Sequence, residues 1–182
     1  LDPARRGPGY GSGEASNYIF TWVNRVAEAV GAVFPDAWIS TIAYAGMFMP
    51  PDFDMQPNVA VTVCNAEADA WDPAGFGMQM LREWRRRVSR VCLWDYVHET
   101  GANGRFPPFL PGAFADYAAQ LRELGVWGVT LGVSNPSPPV WHLDYTVVMR
   151  CLTDPAADAG AILDEYYRLF YGPAAKPMRE FW

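Results

Sequence analysis

The chain has 182 residues, 51% of them hydrophobic and 19% charged, with a formal net charge of −6. That length holds one domain with a sizeable core, and the acidic balance argues against a nucleic-acid surface, which carries a basic stripe. No apolar run is long enough to span a bilayer, so no membrane insertion is expected, and no signal peptide is recognisable.

Residues 1–15 are rich in Gly, Pro, Arg and Ser and read as a linker or loop. The remainder, 16–182, reads as one domain. Ser16 precedes a helical pattern in which Ile19, Val23, Val26, Ala27, Val30 and Val33 recur at three-and-four spacing. Gly31 weakens its last turns, and Phe34-Pro35-Asp36 ends it. Trp38 to Tyr44 is the first predicted strand, β-branched and aromatic. A Pro-rich loop runs from Met49 to Pro57. Asn58 to Cys64 is the second strand, so continuously apolar that it reads as covered on both faces.

After a loop over 66–77, a helix is expected from about Met78 to Ser89, with Met78, Leu81, Trp84 and Val88 inward. Arg82, Arg85, Arg86, Arg87 and Arg90 then fall on its outer, solvated face. The third strand is Val91 to Val97, followed by a long Gly- and Pro-containing loop from His98 to Pro111. A helix over Ala113–Leu124 is capped by Gly125, and the fourth strand is Val126 to Val133. Helices follow from about Leu143 to Leu152, from Ala157 to Phe170 and from near Ala174, and no internal repeat is visible. Strands alternating with helices imply an α/β fold with a parallel sheet. About four parallel strands with covering helices make half of a (β/α)8 barrel or a small open sheet, and the pattern alone leaves both open.

Parallel α/β folds place their chemistry at the carboxyl ends of strands. Two predicted strands run into carboxylates there: Glu67, within Cys64-Asn-Ala-Glu-Ala-Asp69, and Asp95, within Trp94-Asp-Tyr96. Glycosidases need two carboxyl groups, one to protonate the leaving oxygen and one to attack the sugar or activate water. Glu67 and Asp95 are the catalytic candidates, with no assignment between the roles; the alternative is that each acid caps the helix or loop that follows. Tyr44, Asn65, Trp94, Tyr96, His98 and Trp141 are the candidates for lining a sugar site, because aromatic rings join an apolar face to a polar handle. Asp69 and Asp72 read as turn residues. His142 opens a predicted helix, which favours a capping or surface role. Cys64, Cys92 and Cys151 read as small core hydrophobes. His98 with Asp69 or Asp72 lacks zinc-ligand spacing, so no metal is expected. Neither a Gly-x-Ser-x-Gly elbow nor a Gly-rich phosphate loop is present, so no cofactor is expected.

Several segments together resemble one family in order and spacing. They are Phe20-Thr-Trp-Val-Asn24-Arg-Val-Ala-Glu28, Ile42-Ala-Tyr44 with Pro50-Pro51, Pro57-Asn58-Val59 and Cys64-Asn-Ala-Glu67-Ala-Asp69. Leu93-Trp-Asp-Tyr-Val97, Gly125-Val-Trp-Gly-Val129 and Asp154-Pro155 with Tyr171-Gly172-Pro-Ala-Ala175 complete the set. The family is a large, mostly bacterial group of glycoside-hydrolase-like barrel domains of unknown function, similar to α-glucuronidase-type (β/α)8 enzymes. The resemblance runs from about residue 16 onward. It implies that this chain is the C-terminal half of a barrel whose N-terminal half precedes Leu1, in keeping with a chain that begins at Leu rather than Met. Many members are exported, so the parent is expected in the periplasm or outside the cell, although the chain itself leaves localisation open.

The resemblance further implies a glycoside hydrolase acting on a poly- or oligosaccharide, with a non-catalytic carbohydrate-binding barrel as the alternative. A purely structural domain is a third reading. Relatives often carry an acidic residue just after the fourth strand, where this sequence has Leu131-Gly132-Val133. That departure favours the non-catalytic alternative if the acid is catalytic in relatives.

Overall fold

The computed structural model describes residues 11–65, 75–95, 111–132 and 138–182, with the side chains of 138–141 left out. The described residues fall into two compact units. One lies within Leu1–Val97 and Leu124–Gly132, the other within His98–Glu123 and Val133–Trp182.

The first unit holds the sheet. Helix α1 (Ser16–Val33) leads to β1 (Ile39–Ala43), then β2 (Val59–Asn65), α2 (Phe76–Arg87), β3 (Arg90–Asp95) and, after an excursion into the second unit, β4 (Gly128–Leu131). All neighbouring strands pair in parallel, in the order β1-β2-β3-β4. Four parallel strands in sequential order, with helices between β2 and β3 and between β3 and β4 and a Pro-rich segment between β1 and β2, are consistent with half a TIM-type barrel.

Helix α1 buries Ser16, Phe20 and Ala27, a stripe at helical spacing. Val33 departs from the predicted stripe and is 67% exposed, because six residues beyond Ala27 a helix has turned well away from its buried side. Gly31 does not end the helix; a Cβ there would come within 3.2 Å of Asn58 Nδ2, so glycine lets that amide close on the last turns. Asn58 donates to the Ala27 carbonyl at 2.9 Å. Asn17 and Asn24 similarly hold the Pro-rich segment, bonding Asp52 and the backbone of Asp54 and Gln56. Phe20 meets Trp84 of α2 edge-on at 4.9 Å, and the Trp84 indole donates to the Phe48 carbonyl at 2.8 Å. That bond satisfies the polar atom of a fully buried ring. Residues 11–15 are loop, tied down by Ser12, whose carbonyl accepts from the Phe48 and Met49 amides.

The sheet's two faces differ. Val59, Val61 and Val63 of β2, with Val91 and Leu93 of β3, are fully buried, whereas Ala60, Thr62 and Cys92 are half-buried and Ser40 and Ile42 exposed. Alternate residues point to opposite faces, so one face lies under the helices and the other is open. The double coverage expected for β2 holds at Cys64 and is incomplete at Ala60 and Thr62, which are half-buried on that second face. Cys92 also lies on that face, half-buried where core burial was expected, and desolvation raises its thiol pKa.

Arg90 departs from the expected helical face as well. It opens β3, and its guanidinium stacks over the Trp38 ring at 3.5 Å and the Trp127 ring at 4.8 Å. Arg85 turns its guanidinium to the carbonyls of Leu124, Val88 and Ser89, beside Gly125 in its left-handed conformation, φ 73°. Arg82 and Arg86 are exposed as predicted.

The second unit contains α3 (Pro111–Glu123), α4 (Pro138–Thr153), α5 (Ala159–Tyr166) and α6 (Ala175–Phe181). Ala118, Val147, Cys151 and Ile162 form its small core. Helix α4 starts five residues before the expected Leu143, because Pro138 and Pro139 sit in its first turn, where a missing N–H costs nothing. The predicted helix 157–170 ends its α-helical part at Tyr166 and continues as a π-helical turn, Tyr167–Tyr171. Gly172, at φ 52°, and Pro173 then redirect the chain.

Candidate functional site

The candidate residues within the described structure gather at the carboxyl end of the sheet, as the parallel-strand argument anticipates. Asn65 ends β2 and Asp95 ends β3, and the two are register partners. Both continue the covered face: Asn65 is 0% and Asp95 1% exposed. Asn65 stands against the first turn of α2, where a Cβ on Gly77 would fall 2.2 Å from its Nδ2. Partner strands lie about 4.8 Å apart, so amide and carboxylate are neighbours. The Asp95 carbonyl accepts from Gly132 just past β4, at 2.8 Å.

One residue back, the open face carries a row of different character. Trp94 is level with Cys64 on β2 and Thr130 on β4. Tyr44, extended at φ −152° and ψ 149°, continues β1 past Ala43, whose partner is Val63. It therefore falls level with Cys64 on the same face. Tyr44 and Trp94 are 40% and 37% exposed, and Cys64 between them is 2% exposed. Two strand spacings separate the aromatic positions, about 10 Å. The backbone just beyond Tyr44 is strained: Ala45 adopts φ 50°, which non-glycine residues rarely do.

The structure thus groups Tyr44 and Trp94 on one face, and Asn65 and Asp95 on the other. Glu67, Tyr96 and His98 lie outside the described residues. Trp141 belongs to the first turn of α4 in the second unit, and its side chain is likewise outside the described residues. Among the described residues, no group of three or more His, Cys, Asp or Glu could hold a metal ion, and no helix is long and apolar enough to cross a membrane.

Sequence reasoning missed two features of this end of the sheet. Thr130 completes the open-face row, and its position was hidden because Val126–Val133 was read as one long apolar strand. Gly77 was passed over because it was read as the last residue of the loop over 66–77, whereas α2 begins at Phe76 and takes Gly77 into its first turn. His142 was expected to cap or face solvent; it lies within α4 and is half-buried. Its ring stacks on Tyr166 and Phe170 at 5.4 and 5.5 Å. Trp182 Nε1 donates to the Tyr171 hydroxyl, which lies 3.3 Å from His142 Nε2. Burial lowers the His142 pKa from its ordinary value.

A family model described as "Domain of unknown function (DUF4838)" matches residues 3–182. No curated protein and no solved structure matches the chain.

Proposed function

We propose, for a chain that belongs to the family described as a domain of unknown function (DUF4838), a carbohydrate-active role as a glycoside hydrolase on a poly- or oligosaccharide. One observation carries this reading: Tyr44 and Trp94 stand exposed on the open face at the carboxyl end of a parallel sheet. Exposed aromatic side chains at strand positions about 10 Å apart, with a small Cys64 between them, suit the apolar faces of sugar rings. The carboxyl end is where barrels of this architecture do chemistry. In this reading the sugar lies across the row, and Glu67, two residues beyond β2, supplies one carboxyl group. Asp95 supplies the second. One group protonates the leaving oxygen and the other attacks the anomeric carbon or activates water. The other half of a barrel, joined at the edges of β1 and β4, completes the site's walls.

A second reading, a non-catalytic carbohydrate-binding domain, is favoured by a specific observation. Asp95 is buried on the face opposite Trp94, where a carboxylate serves its neighbours better than a substrate. Turnover of a panel of aryl glycosides, including uronic acids and N-acetylhexosamines, separates the two when run beside Glu67→Gln. Hydrolysis abolished in the variant supports the hydrolase. Glycan binding without product, lost in Trp94→Ala, supports the binding domain. Neither turnover nor binding by a well-folded protein refutes both.

A further inference from the structure

Gly77 is buried in the first turn of α2. A Cβ built on it would fall 2.2 Å from Asn65 Nδ2, 2.5 Å from Oδ1 and 2.6 Å from Cγ. Real Cβ atoms essentially never approach heavy atoms that closely, so any side chain at 77 must displace the Asn65 amide. That amide is fully buried, so it has little room to move aside in a close-packed interior. Asn65 ends β2, is the register partner of Asp95, and directly follows Cys64 of the open-face row.

We propose that Gly77 is a positioning residue for the strand-end site. Its missing side chain seats the Asn65 amide over the first turn of α2, and through Asn65 it sets how the paired ends of β2 and β3 lie. Glycine is otherwise among the poorest helix formers, and alanine the best. A helical glycine with open space around it would be stabilised by alanine; Gly77 reverses that sign because the space is taken. The functional half of this proposal rests on the glycoside-hydrolase reading above.

Gly77→Ala, Asn65→Ala and the double variant test it. Asn65→Ala deletes all three atoms that the new Cβ would strike. Gly77→Ala alone lowers the urea midpoint, while the same substitution in the Asn65→Ala background raises it. Should Gly77→Ala not fold, recovery of folding in the double variant reports the same coupling. A Gly77→Ala protein as stable as the wild type, or one destabilised equally in both backgrounds, overturns the contact.

Turnover decides the functional half. Displacing a strand end by about 1 Å costs on the order of a hundredfold in kcat. KM changes less than kcat, because the exposed Tyr44–Trp94 row that would hold the sugar does not touch Gly77. In the Asn65→Ala background Gly77→Ala changes kcat by less than about twofold, the scatter of independent sites. Coupled stability with unchanged kcat overturns the positioning role and leaves a packing contact. Wild-type protein without turnover overturns the functional half together with the hydrolase reading, while the stability cycle still decides the contact.

Discussion

Asn65 and Asp95 are partners across β2 and β3, and both side chains are buried on the face that α2 covers. Each is a buried polar side chain, and truncating a buried polar group leaves the groups packed around it to be satisfied anew. Asn65→Ala and Asp95→Ala are each expected to destabilise the protein by about 1–3 kcal/mol, the cost of leaving a buried polar group unsatisfied. Urea denaturation measures it. Losses in the two single variants that add fully in the double variant would show that the pair does not act as a unit.

Trp94 and Tyr44 are on the other face and half open to solvent, so their roles separate from folding. Trp94→Ala is expected to weaken glycan affinity by about tenfold, equivalent to roughly 1.4 kcal/mol, with Tyr44→Ala in the same direction. Their stability changes should stay near those of other exposed positions, within about 0.5–1 kcal/mol. Calorimetric titration with oligosaccharides reads the first quantity and thermal unfolding the second. Full affinity in both variants would remove the row from the sugar site.

Glu67→Gln is expected to reduce turnover by orders of magnitude while leaving the unfolding midpoint unchanged, since the substitution keeps the side chain's shape and replaces its ionisable carboxyl group by a neutral amide. Aryl-glycoside kinetics beside a denaturation curve make the comparison. A variant that hydrolyses as fast as the wild type excludes Glu67 from the chemistry.

At the opposite end of the sheet, Arg90 lies over Trp38 at 3.5 Å, with Trp127 as a second ring at 4.8 Å. Barrels use that end for stability. A double-mutant cycle of Arg90→Ala with Trp38→Ala should return a coupling of about 0.5–1 kcal/mol, the range of a partly exposed cation–π contact. Glycan affinity should not change. A coupling indistinguishable from zero would make the stack incidental.

His142 links the second unit to pH. Burial lowers its pKa from the ordinary 6.5, so the folded protein protonates less readily than the unfolded chain. The stabilisation is complete above pH 6.5 and is lost as pH falls through 6.5 toward the lower folded value. The urea midpoint should therefore drop over that window, and drop less in His142→Gln. Identical pH profiles for the two proteins would rule out His142 as the source.

How legible the molecule was depends on the kind of signal each feature leaves. Element type was readable almost throughout, because apolar spacing distinguishes strands from helices. Pro35 and Gly125 marked true ends, while the weakening expected at Gly31 did not shorten α1, and Pro138 and Pro139 stand inside α4 rather than before it. At each of those three, the cost of the residue is cancelled by a neighbour or by its position in a first turn. The carboxyl-end location of Asn65, Trp94 and Asp95 was also readable, since each closes an apolar run. Strand alternation already divides Trp94 from Asp95, but which of the two faces the helices cover is not written in the strands themselves.

The sequence by itself determined the α/β class, the four strands and their order of appearance, because these follow from local periodicity and turn chemistry. Only the tertiary structure decided that α2 covers the face of Asn65 and Asp95, leaving Trp94 and Tyr44 on the open one. It alone seated Arg90 on Trp38, His142 among aromatic rings and the Asn65 amide in the space left by Gly77. Each of these is a contact between residues far apart in the chain, and such contacts are set by how the elements pack, which no local pattern encodes.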